Sequence, residues 1–214
     1  PHPPPPPPPT PSLHDALPIC WITPYICAMT LNGDPVRRSG FWEFYDHWSS
    51  YHSLGLAPQP PTDPLDWLQR SSDGRLHQYY KYGYPNRFYP PFKTNHRYAA
   101  CWRSEGWRTW LCEVVRYAAK CRYDGVFIDN CRSQRCQCSR CQEAFQQYLQ
   151  EHYTLEQARS RFHIASFADV AFPKKGEVLL EAELNRFWCS TTREQLAVLK
   201  SIGSRELGKE FLVF

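Results

Sequence analysis

The chain has 214 residues, a net charge of +4 and no long basic run, so nucleic acid is not the indicated partner. No apolar run approaches the roughly 18 residues of a membrane span, and no charged start with an apolar core marks a secretory signal. Aromatic residues make up 15% of the chain, including eight Trp and thirteen Tyr, which suits a core or a surface that stacks on flat ligands or sugar rings.

In chain order, residues 1–20, PHPPPPPPPTPSLHDALPIC, read literally as a polyproline II arm followed by a turn. Ser12 to Ile19, however, match one reading frame of a sequencing adapter. The segment is therefore expected to be a translated artefact and is left out of fold reasoning. On this reading the natural polypeptide starts near Cys20 or Trp21, in mid-domain. "WITPYICAM" (21–29) reads as a buried strand and "LNGDP" (31–35) as a turn. The aromatics Phe41, Phe44, Tyr45 and Trp48 have the spacing of a short amphipathic helix over 40–55. Residues 56–95 are rich in Pro, Tyr and Asn and read as a long irregular excursion.

A helix is expected over 104–122, with Ser104 as N-cap and a buried stripe of Trp107, Trp110, Leu111, Val114 and Val115. "YDGVFIDN" (123–130) reads as a short, fully buried strand that ends on two polar residues. Helices are expected over 141–153, over 154–163 after a Thr cap, and over 176–208 with a break near Ser190. "KEFLVF" closes as a strand that stops abruptly at Phe214, so truncation is expected at both ends. Strands alternating with helices imply an α/β protein with a parallel sheet. The chain carries no internal repeat, no Gly-rich phosphate loop and no Rossmann fingerprint.

Two features carry chemistry. Asp129 and Asn130 are the first polar residues after the apolar run of their strand. In a (β/α) barrel, functional groups sit at the C-terminal strand ends. Glycoside hydrolysis needs two carboxylates across the scissile bond, and Asp129 could be one. Glu43, Asp46 and Asp34 are weak candidates for the other. The second feature is C-x-C-x2-C at a helix start, formed by Cys136, Cys138 and Cys141. Thiolates there converge on one centre, and the helix N-terminus favours their charge. Zinc takes four tetrahedral ligands, with Cys131 the near candidate for the fourth and Cys101 the distant one. The bland readings are ordinary thiols or disulfides. The remaining cysteines sit in apolar patterns and read as core.

The run "DN…CQCSRCQEAFQQYLQEHY" resembles the family-42 β-galactosidases and related barrel glycosidases. In those enzymes a C-x-C-x2-C-x3-F segment follows strand four, and a helix with an aromatic-Leu pattern comes next. A segment like "HRYAACWRSEGWRTWL" supplies their fourth cysteine. The resemblance spans roughly residues 96–153, with a fainter echo over 21–55. It implies a structural zinc on Cys101, Cys136, Cys138 and Cys141, and so prefers Cys101 to Cys131. It also implies a fragment of a (β/α)8 TIM barrel with a zinc-stabilised insertion loop, occupying residues 21–214. The implied activity is hydrolysis of O-glycosidic bonds in a galactoside or related oligosaccharide, with carbohydrate as the partner and an oligomer open for the complete protein. The family ends its fourth strand on Asn-Glu, whereas here Cys131 follows Asn130. "DGVFIDN" also looks like the strand-four signature of α-amylase-like barrels, where the Asp is the nucleophile. Asp129 is thus expected as nucleophile or proton donor. Asn130, Trp42 and His96 are expected to bind substrate, with Trp48, Tyr80 and Trp102 as further rim candidates. An inactive carbohydrate-binding relative and a small zinc interaction module are the competing expectations. Reduced zinc thiolates suit the cytoplasm, weakly.

Overall fold

The computed structural model describes residues 21–81, 96–129, 131 and 135–214. The adapter-like segment 1–20, residues 82–95 of the aromatic excursion, and Asn130 lie outside the described residues.

The three strands read from the sequence form one parallel sheet. It contains β1 (Tyr25–Cys27), β6 (Gly125–Asp129) and β7 (Leu212–Val213), in the order β1-β6-β7. The register sets Tyr25 opposite Phe127, Cys27 opposite Asp129 and Gly125 opposite Leu212. A four-stranded antiparallel sheet in the order β3-β2-β5-β4 lies beside it. It is built from β2 (Thr30–Asp34), β3 (Ser39–Gly40), β4 (Gln78–Lys81) and β5 (His96–Ala99). The helices are α1 (Phe41–Asp46), α2 (Glu105–Lys120), α3 (Ser139–His152), α4 (Leu155–Phe162) and α5 (Val178–Leu207). Among the described residues, no helix is long and apolar enough to cross a membrane.

The expected TIM-barrel fragment is corrected to a small α/β domain with two small sheets. A barrel grows by repeated βα units whose strands add in parallel. Here the chain between β1 and α2 builds antiparallel pairs instead, with Leu31 opposite Tyr98 and Gly33 opposite Gly40. The stretch "LNGDP" is mostly strand β2. Its turn comes later, where Asp34 Oδ1 accepts from the backbone N–H groups of Val36 and Arg37 at 2.9 and 3.1 Å. Such an Asx-type acceptor satisfies turn donors locally and ends the strand.

The helix expected over 40–55 splits into α1 and a 3₁₀ stretch, Trp48–Leu54. The serines at 49, 50 and 53 favour that loss of regular helix. At the far end, α5 runs unbroken through Ser190, whose hydroxyl donates to Glu194 Oε1 at 3.0 Å. The serine thereby stops competing for the helix backbone.

Of the expected stripe, α2 buries Trp107, Leu111 and Val115, while Trp110 and Val114 are half-buried. It packs onto α5 and onto Trp67 through Gly106. Any Cβ at Gly106 would run into the Trp67 indole, so only glycine permits this approach. Burial falls into two clusters. The first gathers Trp42, Trp67, Trp102, Trp107, Val126, Ile128 and Phe211 around the sheets. The second gathers three cysteines with Phe145, Leu149, Phe187 and Trp188, between α3 and α5.

Candidate metal centre and strand-end carboxylate

Cys101, Cys136, Cys138 and Cys141 lie with their sulfurs all within 4.8 Å of one another. Two parts of the chain meet to make this cluster. Cys101 follows β5, and its N–H donates to the Trp67 carbonyl at 2.7 Å. The other three enter α3, where Cys138 is the N-cap and Cys141 lies in the first turn. Gln69, 1% exposed, locks the two parts together. Its Nε2 donates to the Ala100 carbonyl at 2.9 Å, and its Oε1 accepts from the Arg135 N–H at 3.2 Å. The Gln137 N–H donates to the Arg70 carbonyl at 2.7 Å, and the Arg70 N–H points at Cys136 Sγ at 3.4 Å. Backbone donors aimed at sulfur favour the thiolate and fix its orientation.

Cys101, Cys136 and Cys141 are fully buried, and Cys138 is half-buried. Crowding splits the four thiols. Cys136 and Cys138 are held below the ordinary thiol range, each chiefly by hydrogen bonding with Cys101. Cys101 is pushed well above it chiefly by its bond with Cys136, and Cys141 chiefly by its bond with Cys101. Four thiolates at this separation would repel one another strongly, so all four sulfurs can be ionised together only around a cation. The geometry fits one: a tetrahedron with bonds of about 2.3 Å has edges of about 3.8 Å. Cys101 and Cys141 are 3.4 Å apart, far beyond the roughly 2.05 Å of an S–S bond, and none of the described cysteines forms a disulfide. The group can therefore hold a metal ion. Cys131 is not part of it. Its thiol donates to the Ile128 carbonyl at 3.4 Å and is pushed up to about 11, chiefly by burial and then by Asp129.

The second site is the carboxyl end of the parallel sheet. Asp129 closes β6, and its Oδ2 accepts from the Tyr25 hydroxyl at 2.5 Å. That bond raises the Tyr25 phenol above its usual range. Cys27 lies opposite Asp129, with its sulfur 3.0 Å from Thr30 Oγ1. Arg97 Nη2 donates to the same sulfur at 3.4 Å, and Arg97 Nε donates to Thr30 at 3.0 Å. Burial raises the Cys27 thiol, but hydrogen bonds from Thr30, the Met29 backbone and Arg97 outweigh it and hold the thiol low. The sequence reading missed Tyr25, Cys27 and Arg97. Tyr25 and Cys27 alternate along β1, but the pairing register that brings Arg97 of β5 to them is not visible in the sequence.

The structure distributes the other expected site residues elsewhere. Trp42 is fully buried, with its indole donating to Asp63 Oδ1 at 3.1 Å and its ring edge-on to Tyr98. Trp48 and Trp102 are likewise in the core, donating to the carbonyls of Ala57 and Ala28. His96 sits in β5 with its ring edge-on to Tyr98. Asn130 and the side chain of Tyr80 lie outside the described residues.

Two clefts flank these sites. One, of about 510 Å³, runs beside Cys136 and is lined by Arg135, Lys174, Lys175, Asn185 and Trp188. A second, of about 370 Å³, shares Asn185 and Trp188 and reaches Cys131, two residues past Asp129. Both use one face of α5, since positions 181, 184, 185 and 188 recur at helical spacing. Compared with protein-family models the chain finds no match, and compared with curated proteins it finds none.

Proposed function

We propose that this chain is a carbohydrate-processing domain stapled by a structural zinc ion. In this reading Asp129 is one of the two carboxylates that hydrolyse an O-glycosidic bond in a galactoside or related oligosaccharide. The observation that carries it is the place of Asp129: an aspartate at the carboxyl end of a parallel strand, held by the Tyr25 hydroxyl at 2.5 Å. Ligands of open α/β sheets bind at that end of the strands. A phenol donating to the carboxylate fixes its orientation at the strand end, where it would attack the anomeric carbon or activate water. A second carboxylate about 5–5.5 Å away would give retention of configuration, and one about 6.5–9.5 Å away inversion. The two clefts along α5 share the polar Asn185 and the aromatic Trp188, and one of them reaches Cys131, two residues past Asp129.

Zinc is the preferred ion because four thiolates and a closed, buried site are the features of structural zinc. It would be held by Cys101, Cys136, Cys138 and Cys141, and would supply folding energy rather than reaction chemistry.

The test is hydrolysis of aryl glycosides by the metal-loaded chain and by Asp129→Asn. The expected loss is at least about 10²-fold. Unchanged turnover removes Asp129 from the mechanism. Sugar affinity without turnover in the parent chain points instead to a carbohydrate-binding relative. A second reading, a zinc-built interaction module, is favoured by the cations Arg135, Lys174 and Lys175 beside Cys136. It predicts salt-dependent binding to a polyanion with no hydrolysis.

A further inference from the structure

A third cleft, of about 640 Å³, lies between α2 and α5 and shares no lining residue with the two beside the metal centre. Its floor holds Gln195, which is 1% exposed. Arg108 Nε donates to Gln195 Oε1 at 2.7 Å. A guanidinium can only donate, so the amide oxygen must face Arg108 and the amide nitrogen must face away from it. Gln195 Nε2 is left buried with no hydrogen-bond partner. The Cys112 sulfur on the same wall is at most a weak acceptor, and its thiol is raised chiefly by burial. Buried donors without acceptors are rare in folded proteins, and each calls for an explanation.

The rest of the wall also offers donors. Arg103, Arg108 and Arg116 line it together with the Thr109 hydroxyl. The acceptors nearby are largely used. Glu113, 3% exposed, is ion-paired with Arg116 and takes the Ala57 N–H at 2.9 Å on its other oxygen. Glu105, the other carboxylate of the wall, is exposed, and the further cations are Arg108 and Arg103, whose guanidinium also lies over the Phe187 ring at 5.9 Å. Val198 and Ile202 add an apolar edge. A buried amide donor, a hydroxyl and guanidinium groups together match an acceptor-only head group.

We propose that the α2–α5 cleft binds an oxyanion, the carboxylate or phosphate of a small molecule, with Gln195 Nε2, Arg103 and Arg108 as its donors and the Val198–Ile202 edge against its apolar part. This site is independent of the carbohydrate reading. It explains why a glutamine is kept buried with half its amide unmatched.

The test follows the Gln195 side-chain amide by nitrogen–proton correlation NMR in the metal-loaded full chain, its signal assigned by loss in Gln195→Met. Inorganic phosphate and butyrate are titrated separately to about 20 mM, against sodium chloride at matched ionic strength. A saturable shift of that amide with phosphate supports a phosphate site, and one with butyrate supports a carboxylate site. Arg103→Met and Arg108→Met are each expected to weaken binding at least about tenfold. Arg103→Met leaves the Arg108–Gln195 bond in place, so it decides the matter if Arg108→Met fails to fold. No saturable shift with either probe overturns the proposal. So does a shift that is unchanged in Arg103→Met or reproduced by chloride, which marks an adventitious ion only.

Discussion

The cysteine centre and the end of β6 are seven residues apart in sequence, counted from Asp129 to Cys136, and they are built on opposite plans. The centre is buried and is positioned by backbone hydrogen bonds and by one side chain, Gln69. The strand end is open. Tyr25 is 59% exposed, and its hold on Asp129 is a single side-chain hydrogen bond. A site of the first kind is costly to disturb because its neighbours cannot relax around it. A site of the second kind can be altered with little cost to the fold, which leaves its chemistry free to be tested.

The largest effect should come from the buried site. Cys141→Ser, or removal of the metal by a chelator, is expected to lower the unfolding midpoint by at least about 10 °C and to abolish stoichiometric metal. Metal analysis with thermal unfolding reads both quantities. A change under about 2 °C would erase the contrast between the two sites. Next comes Gln69→Leu, which strands the Ala100 carbonyl and the Arg135 N–H. It should cost about 2–3 kcal/mol and weaken metal affinity about tenfold, by denaturant titration and by competition with a chromophoric chelator. Asp129→Asn should instead leave the midpoint within about 2 °C of the parent, since its carboxylate works at an exposed bond.

The open end also predicts a reactivity order. Cys27 is held below the ordinary thiol range and Cys131 is pushed up to about 11. At pH 8 the Cys27 thiolate fraction should exceed that of Cys131, so iodoacetamide should label Cys27 before Cys131, as mass spectrometry of timed aliquots would show. Arg97→Met should slow Cys27, because it removes a donor to the sulfur. The smallest effect concerns Tyr25. Its phenol is raised by its bond to Asp129, so Asp129→Asn should lower its titration midpoint, followed by ultraviolet absorbance. The sign for stability follows from linkage. The contribution is present below the unfolded phenol value of about 10 and is lost as pH rises through the folded midpoint. An unmoved midpoint would mean that the hydrogen bond is absent in solution.

The same contrast explains what could be read from the sequence. The spacing of Cys136, Cys138 and Cys141 on a helix start is a local property, and it was legible. The preference for Cys101 over Cys131 rests on resemblance in the sequence, and the distances between the four sulfurs place Cys101 in the group. The parallel strands were legible because each is a short apolar run. The antiparallel sheet was not. In β5 the alternation of His96, Arg97, Tyr98 and Ala99 is blurred by polar residues on both faces, and β2 hides in a stretch whose Asn, Gly, Asp and Pro read as turn. From strands in parallel order the barrel was the natural extrapolation. It failed because nothing local in residues 28–100 announces that they pair antiparallel. The aromatic candidates erred for a related reason. Trp42, Trp48 and Trp102 have the composition of a sugar platform, but core packing claimed them.

Trp102 adjoins a metal-ligand candidate in the chain, and its indole shares the Ala28 carbonyl with that of Trp107. Both rings are nearly sealed from solvent, and their shared acceptor belongs to Ala28, the residue directly after β1. Any shift of Cys101 on loading the centre is thus transmitted directly to a fluorophore whose surroundings are otherwise fixed. The protein carries its own optical gauge: tryptophan emission should change in step with occupancy of the four sulfurs, and titrating metal in a fluorimeter would follow assembly without any label.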